Sequence, residues 1–412
     1  MVIPLMHVRL SRFLLPCASL IILAACSDSS STQTTSVAAT IPNVLPAAST
    51  TPADRPPPIP APPQVQARGY FVMDYISGQV LAAQNENERL EPASLTKLMT
   101  SYAVFHALKD GSIKLSDLVT ISAHARAQEG SRMFVDVGTQ VSVENLIQGM
   151  IVQSGNDATV ALAEYVAGSE PVFVDLMNQY AQQLGMTGTH FDDSNGMPSP
   201  QHYTTARDMG LLAAALIRDY PEDYKWYSQR SFTWNKITQP NRNGLLDRDP
   251  TVDGLKTGHT ESAGYCLVSS AKRDNMRLIS VVMGTPSVSA RENASSALLN
   301  YGFRFFETRK LFAAGEPVVK ARLWKGEVDE TQFALHQDLY VTFPRGQDNT
   351  LSAAADLSEP LFAPLNKDKS AGKLRVQQDA QLVGTYDLYP LADVPEAGLF
   401  SRLIDDVKLW LH

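Results

Sequence analysis

Three pairs of residues in this sequence place a serine three positions ahead of a lysine, a spacing that could join a nucleophile to its base. They are Ser94 with Lys97, Ser269 with Lys272, and Ser370 with Lys373. A serine hydroxyl is a weak nucleophile, so the lysine must lie close enough to take its proton. Positions i and i+3 share a face on a helix, whereas on a strand they point to opposite sides. The chemistry therefore depends on which pair opens a helix.

Only the first pair precedes a helical pattern. Apolar residues follow Ser94 at helical spacing, namely Leu95, Leu98, Met99, Tyr102 and Phe105. Ser269 falls in a predicted strand, and Ser370 falls in a polar loop. Helical placement, rather than the motif itself, therefore selects Ser94 and Lys97.

The surrounding elements predict a sheet covered by helices. The segments "YFVMDY" and "VLAAQN" predict a hairpin that begins near Gly69, and "GYCLVSSAK" and "MRLISVVMG" predict two adjacent strands. Helical patterns lie between these strands and return at 290–307. We therefore expect an α/β or α+β domain with a central antiparallel sheet flanked by helices. Short alternating strands after residue 310 predict a small all-β domain over 310–396.

Two further motifs accompany the Ser94 pair. The segment "QSGND" supplies Ser154 and Asn156 between two predicted helices, and "DGLKTGHT" supplies Lys256, Thr257, Gly258 and His259 on a predicted strand. Ser-x-x-Lys, Ser-x-Asn and Lys-Thr-Gly in this order resemble the active-site set of penicillin-binding proteins and serine β-lactamases. From about residue 67 to 412, including "YGFRFFET", the chain resembles the low-molecular-mass D-alanyl-D-alanine carboxypeptidases. The resemblance implies a transpeptidase-like catalytic domain over 67–309.

The resemblance assigns the catalytic roles to Ser94, Lys97 and Ser154. Ser94 would be acylated and Lys97 would be its base, while Ser154 would pass a proton to the leaving amine. A free lysine has a pKa of about 10.4, so burial or a nearby positive charge must lower it. Lys256 is the candidate for that charge.

The remaining motif residues would hold the substrate. Asn156 would position Lys97 and the substrate amide. The oxyanion would lie between the backbone N–H groups of Ser94 and His259, since preorganised donors stabilise developing charge. The strand residues Thr257 and Gly258 would line the pocket together with His259.

A carboxypeptidase must also bind a free terminal carboxylate. Thr257 and an arginine are the candidates, and the resemblance implies Arg242 or Arg291 for the arginine. The alternative for either arginine is a surface salt bridge. We expect no cofactor and no metal, because the eight histidines show no ligand spacing.

These residues favour a serine-type carboxypeptidase that removes the terminal D-alanine from peptidoglycan stem peptides and is acylated by β-lactam antibiotics. One alternative is a serine β-lactamase, which needs a base for the deacylating water. Glu222 lies in the appropriate interval, but its surroundings, "RDYPEDYK", resemble a helix end. Another alternative is a non-catalytic cell-wall scaffold, although such a protein need not keep a nucleophile and base.

Composition excludes one class of partner and bounds the architecture. The chain has 412 residues, enough for two domains with appendages, and a formal net charge of −8. Its Lys and Arg residues are dispersed, so we expect no nucleic-acid partner.

The N-terminal residues have the pattern of an export signal. A short basic region precedes an apolar run that ends in "LAAC", so residues 1–26 are predicted to be a signal peptide with a lipobox and Cys26 to carry lipid. The alternative is an ordinary signal in which Cys26 is incidental. Residues 27–66 are rich in Pro, Ser and Thr, which predicts a disordered tether.

The C-terminal residues 397–412 have an apolar face and a polar face. The pattern fits either a helix docked on the β domain or an interfacial membrane helix. We expect an exported, periplasmic, membrane-associated protein, held by lipid, by this helix or by both. Ser27 after Cys26 favours the outer membrane, the terminal helix favours the inner one, and the choice stays open.

Overall fold

The structure is a computed structural model that describes residues 33–39, 59–379 and 381–411. Its strands are β1 (Gln33–Ala39), β2 (Gly69–Asp74), β3 (Val80–Gln84), β4 (Leu118–Thr120), β5 (Gln140–Ser142), β6 (Ser231–Trp234), β7 (Ile237–Pro240), β8 (Val252–Thr260), β9 (Gly264–Arg273), β10 (Met276–Thr285), β11 (Phe306–Phe312), β12 (Pro317–Arg322), β13 (Glu330–Ala334), β14 (Leu339–Pro344), β15 (Leu351–Glu359), β16 (Gly372–Gln378) and β17 (Gln381–Pro390). Its helices are α1 (Lys97–Lys109), α2 (Ala123–Ala127), α3 (Val143–Val152), α4 (Asn156–Ala167), α5 (Glu170–Gln183), α6 (Ala206–Asp219), α7 (Leu245–Arg248), α8 (Val288–Phe305) and α9 (Leu399–Leu411).

A five-stranded antiparallel sheet forms the centre of the first domain, in the order β3-β2-β10-β9-β8. Strands β9 and β10 are buried on both faces, because α8 covers one side and the block of helices α1 to α6 covers the other. Such strands read as continuous apolar runs rather than as alternating patterns. The predicted antiparallel sheet flanked by helices is confirmed.

Strand β8 forms one edge of this sheet and pairs only with β9 among the described strands. Its free edge faces the helical block, at the point where α1 begins. Helix α1 is buried almost all round, including Leu98, Met99 and Phe105. A helix that is covered on every side holds its first turn rigidly.

A second domain follows α8 without a long linker, since β11 begins at the residue after the helix ends. It contains the sheet β1-β15-β16-β17-β13-β12 and the pair β11–β14, around an apolar core of its own. The predicted small all-β domain is confirmed as a fold, while the boundaries at 310 and 396 stay predictions. A hydrogen bond of 2.6 Å between Ser77 Oγ and Thr342 Oγ1 joins the β2–β3 turn to β14.

The disordered tether at 27–66 stays a prediction, and the structure describes two parts of this segment. The backbone of β1 pairs antiparallel with β15, from Gln33 opposite Glu359 to Ala39 opposite Ala353. Residues 59–66 also lie against the first domain, where Ile59 and Val65 pack on the α8 side of the sheet. Apolar residues explain the second contact, because Ile59 and Val65 gain burial there. The signal segment 1–26 and Cys26 lie outside the described residues.

Helix α9 contacts the β domain through its polar face. Asp405 is only 7% exposed, and its carboxylate accepts a 2.7 Å hydrogen bond from the backbone N–H of Lys325. Asp406 forms a 2.6 Å ion pair with the Lys325 ammonium. The apolar side chains point away, and Phe400 and Trp410 are each 85% exposed. No helix within the described part of the chain is both long enough and apolar enough to cross a bilayer.

Candidate active site

The predicted nucleophile lies on a tight turn rather than on the α-helix itself. Residues Ala93–Thr96 form one 3-10 turn, and α1 begins at Lys97. Ala93 has a φ of +47°, which a side chain with a Cβ adopts only at a cost. The turn leaves Ser94 half-buried at the mouth of the helix, and Lys97 Nζ lies 2.9 Å from Ser94 Oγ.

Lys97 is held by two oxygens besides Ser94. Its Nζ donates to Asn156 Oδ1 at 2.7 Å and to the backbone carbonyl of Asn195 at 2.7 Å. Burial lowers the pKa of Lys97 to about 7. The Asp193 carboxylate opposes this shift, and Arg242 adds to it. A lysine with this pKa is partly neutral at physiological pH and can accept a proton.

The second serine and the second lysine form a matching pair. Lys256 Nζ donates to Ser154 Oγ at 2.9 Å and to the Thr257 carbonyl at 3.0 Å. Burial lowers the pKa of Lys256 well below its ordinary value, and the positive charge of Lys97 adds to that effect. Burial is also the largest cause of the lowered pKa of Lys97, and the positive charge that adds to it is that of Arg242 rather than the expected Lys256.

Two glycines bring distant segments against the nucleophile turn. A Cβ on Gly196 would lie 1.9 Å from the carbonyl oxygen of Ala93, and Gly196 has a φ of +92°. A Cβ on Gly258 would lie 2.8 Å from the carbonyl oxygen of Pro92. No side chain fits at either position without moving backbone. The turn is therefore packed between the loop at 193–197 and strand β8.

A cleft of about 560 Å³ opens over this turn. Its lining includes the predicted residues Ser94, Ser154, Asn156, Arg242, Thr257, Gly258, His259 and Arg291. Lys97 and Lys256 lie buried behind it. The ring of His259 stacks on Tyr265 with centroids 4.0 Å apart, which places His259 in the wall. The three motifs thus meet at one cleft.

The two arginines lie side by side at one end of the cleft. Arg291 is buried, and its guanidinium donates to the carbonyls of Gly258 at 3.4 Å and Arg242 at 3.2 Å. Among the ion pairs found between described residues, none links Arg242 or Arg291 to a carboxylate. The cleft therefore has positive charge available for an anionic group, as carboxylate binding requires.

The structure adds residues that the sequence reasoning did not assign. Asp157, next to Asn156, is fully buried, and its carboxylate accepts N–H groups from Met133, Phe134, Val135 and Ala158. It therefore fixes the loop that supplies Gly130 and Ser131 to the cleft. Its position inside "QSGND" was a signal, but its partners are distant in sequence. Asn195 was likewise missed, because a backbone carbonyl leaves no trace in a sequence.

The other Ser-x-x-Lys pairs do not form a comparable site. Ser269 is buried in β9 and Lys272 is exposed. Ser370 and Lys373 both bond to the carboxylate of Asp387, at 2.8 Å and 2.6 Å. Lys373 is thus paired with Asp387 rather than with Ser370.

No acidic side chain is among the described residues that line the cleft. Glu222 is 81% exposed, forms an ion pair with Lys225 and borders a different surface hollow. It is therefore not placed to activate a water at Ser94. Within the described residues, no group of three or more His, Cys, Asp or Glu side chains is arranged to hold a metal ion.

Comparison with known proteins adds an independent line of support. Residues 57–287 match the D-alanyl-D-alanine carboxypeptidase family, and residues 306–396 match the penicillin-binding protein 5 C-terminal domain. The chain is 47% identical over 350 residues to D-alanyl-D-alanine carboxypeptidase DacA of Haemophilus influenzae, covering 84% of this chain and 89% of that protein. It is 47% identical over 358 residues to DacC of Escherichia coli, covering 85% and 90%.

Solved structures agree with these matches. The crystal structure of penicillin-binding protein 5 from Haemophilus influenzae superposes with a TM-score of 0.79 at 47% identity, covering 82% of this chain and 99% of that one. The D-alanyl-D-alanine carboxypeptidase DacD from Francisella tularensis superposes with a TM-score of 0.71 at 33% identity, covering 84% and 98%. Both domains are included at these coverages.

Proposed function

The chain belongs to the D-alanyl-D-alanine carboxypeptidase family and is a serine-type carboxypeptidase, and we propose that Ser94 is its nucleophile. The substrate is the peptidoglycan pentapeptide, from which it removes the terminal D-alanine. The observation that carries the assignment is the 2.9 Å contact between Ser94 Oγ and a buried lysine whose pKa is lowered to about 7. An accessible hydroxyl and a neutral amine at this distance form an activated nucleophile.

Acylation begins when neutral Lys97 takes the Ser94 hydroxyl proton. Ser94 Oγ then bonds to the carbonyl carbon of the penultimate D-alanine, and the negative charge develops on the carbonyl oxygen. The backbone N–H groups of Ser94 and His259 are the proposed donors to that oxygen. One such donor contributes about 10²–10³ in rate in other acyl-transfer enzymes.

Collapse of this intermediate breaks the peptide C–N bond and releases D-alanine. Ser154 transfers a proton to the leaving nitrogen, a role supported by its bond to Lys256. Ser154 is then reprotonated by Lys97, which becomes neutral again. Water then hydrolyses the Ser94 ester, with Lys97 again as base, and restores the free enzyme. General acid–base steps of this kind supply about 10²–10⁴ in rate.

The free carboxylate of the substrate is bound at the arginine end of the cleft. Arg242, Arg291 and the Thr257 hydroxyl are the proposed partners, while Asn156 and Gly258 support the peptide. A substrate whose terminal carboxylate is amidated should therefore bind weakly, because it offers no anion to the guanidinium groups. Comparing KM for the acid and the amide tests this part of the proposal.

Mass spectrometry after exposure to penicillin tests the nucleophile. The wild-type chain should gain one penicilloyl group on the peptide that contains Ser94, and Ser94→Ala should gain none. Ser269→Ala is the matched control, since this serine has the same spacing to a lysine. Penicillin labelling of Ser94→Ala at the wild-type rate would refute the assignment.

The β-lactamase alternative predicts a different lifetime for the same adduct. The absence of a carboxylate among the described residues of the cleft favours slow hydrolysis of the penicilloyl ester. We expect the adduct to persist through purification, whereas rapid turnover of penicillin would favour the lactamase. Release of D-alanine from a pentapeptide separates the carboxypeptidase from a non-catalytic scaffold.

We further propose that the protein is exported and works at a periplasmic membrane surface. The outward apolar face of α9, anchored by its polar face to the β domain, supports membrane association. Lipid on Cys26 is the second proposed anchor. Each anchor can be tested by fractionating cells that carry Cys26→Ser, a deletion of 397–412, or both changes. The measurement is the share of the protein that stays with the membrane fraction. Release of the protein by one change alone identifies the dominant one.

A further inference from the structure

One histidine is buried directly beneath the nucleophile turn and has no role in the reaction described above. His202 is 2% exposed, and its Nε2 lies 2.8 Å from the hydroxyl of Thr96. The same hydroxyl donates to the carbonyl oxygen of Ala93 at 2.8 Å. Thr96 and Ala93 are the two ends of the turn that presents Ser94. His202 is therefore one contact away from the residue that closes this turn.

Its hydrogen bonds fix the tautomer of His202. A threonine hydroxyl has a single proton, which Thr96 gives to Ala93, so His202 Nε2 must donate to the Thr96 oxygen. On the other side of the ring, the backbone N–H of Asp192 donates to Nδ1 at 3.3 Å. Nδ1 therefore acts as an acceptor. Both contacts are satisfied only by neutral imidazole protonated on Nε2.

A second proton would disturb the loop that holds the base. Protonated Nδ1 would face the N–H donor of Asp192 and would be drawn to Asp193 Oδ1, 3.7 Å away. The Asp193 carboxylate already accepts the backbone N–H groups of Asn195, Gly196 and Met197. Its loop also presents the Asn195 carbonyl to Lys97. A change at His202 therefore reaches both the nucleophile turn and the base.

We propose that neutral His202 is a positioning residue for acylation, which holds Thr96 and thereby the turn that presents Ser94, and that protonation of His202 weakens this hold. This inference rests on the proposed role of Ser94. Neutral His202 does not touch the reacting atoms and holds the turn through Thr96.

The charged groups around His202 favour opposite states. Asp192 and Asp193 favour the protonated ring, while His190 and Lys97 oppose it. Burial outweighs these charges and lowers the pKa of His202 below its ordinary value of 6.5. The ring is therefore neutral at pH 7, and its protonation falls on the acid side of the Lys97 titration.

The test measures the second-order rate of Ser94 acylation by a fluorescent penicillin between pH 5 and 9, in the full chain. The variants are His202→Gln, His202→Leu and Thr96→Val, and the control is His190→Gln. When one group must be deprotonated for acylation, the rate falls about tenfold for each pH unit below the pKa of that group. When two groups must be deprotonated, the rate falls about a hundredfold per pH unit below both pKa values. On the acid side of the pH profile, the rate of the wild type and of His190→Gln should first fall about tenfold per pH unit. At lower pH it should fall about a hundredfold per pH unit.

His202→Gln should remove only the steeper part of the pH profile, at the lowest pH values. A glutamine amide can donate to Thr96 and accept from Asp192 but does not titrate, so its acid limb should keep the single slope of Lys97. At pH 8 its rate should stay within about threefold of wild type, whereas His202→Leu and Thr96→Val should each lose at least about tenfold. The Leu/Val double variant should lose no more than either single one, because both changes break the same contact.

Two results would overturn the inference. One is an acid limb with the same slope in the wild type and in His202→Gln, whether single or steep. The other is a wild-type rate at pH 8 in both His202→Leu and Thr96→Val. If His202→Leu does not fold, His202→Gln and Thr96→Val still decide the question. Failure of the wild-type chain to form an adduct at Ser94 would instead refute the proposed function, so the two failures are distinguishable.

Discussion

Replacing Asp157 with Asn should weaken both the fold and the active site. The Asp157 carboxylate accepts four backbone N–H groups at 2.8 to 3.2 Å, three of them from residues 133–135. An amide keeps one oxygen and turns its NH₂ group toward N–H donors. Two of the four bonds are then lost, and each bond to a charged group contributes about 1.5–3 kcal/mol. The expected loss of unfolding free energy is about 3–6 kcal/mol.

This loss should be visible as a change in melting temperature and in acylation. For a domain of this size, about 3 kcal/mol lowers Tm by about 6–12 °C. The penicillin acylation rate should fall at least about tenfold, because the loosened loop includes the partners of Asn156. Those partners are the carbonyl of Ser131, which accepts the Asn156 backbone N–H at 2.7 Å, and that of Glu129, which accepts its Nδ2 at 2.6 Å.

Asp175→Asn is the matched control for this experiment, since Asp175 is exposed on α5. Differential scanning calorimetry and stopped-flow acylation should show no change for Asp175→Asn. If Asp157→Asn melts within about 2 °C of wild type, the hydrogen-bond argument fails. If it melts lower but is acylated at the wild-type rate, the link between the loop and the cleft is wrong.

Three further outcomes follow from the geometry. Gly196→Ala should reduce the rate of penicillin acylation at least about a hundredfold, because the added Cβ has no room beside the nucleophile turn. The control is Gly111→Ala, since Gly111 has a similar positive φ but open space around it. This control should lose about 1 kcal/mol of stability and no activity. The acylation rate should decrease as the pH is lowered past about 7, since only neutral Lys97 is a base. At pH 6 the rate should be about tenfold below the plateau at high pH, and a flat pH profile would contradict this role of Lys97. Trp410→Glu should lower the affinity for phospholipid vesicles, measured by co-sedimentation, at least about tenfold. Ser401→Glu, on the polar face, should leave this affinity unchanged, and equal effects of the two changes would contradict an apolar membrane contact.

Much of the catalytic domain could be predicted from local patterns. The sequence was sufficient to predict one site from three local patterns, namely the helical spacing after Ser94 and the motifs around Ser154 and Lys256. Each motif lies on or beside a regular element of secondary structure. The structure brings these residues to a single cleft. Their catalytic roles stay proposals until the substitutions above are measured.

Other features depend on contacts that no local pattern records. Ala93 has a positive φ, and Gly196 and Gly258 pack against its turn from distant segments. The pKa of Lys97 depends chiefly on burial, which is a property of the assembled domain. The orientation of α9 was open because an amphipathic pattern specifies two faces but not which one meets the protein; here Asp405 turns inward.

The close packing of Gly196 and Gly258 on the nucleophile turn limits how this protein can vary under antibiotic selection. Neither position accepts a side chain, so resistant variants that keep carboxypeptidase activity should retain both glycines. The rim of the cleft is freer, since the side chains of Met197 and Val288 are exposed there. Heritable differences in drug sensitivity should therefore accumulate at the rim, while the floor of the site stays fixed.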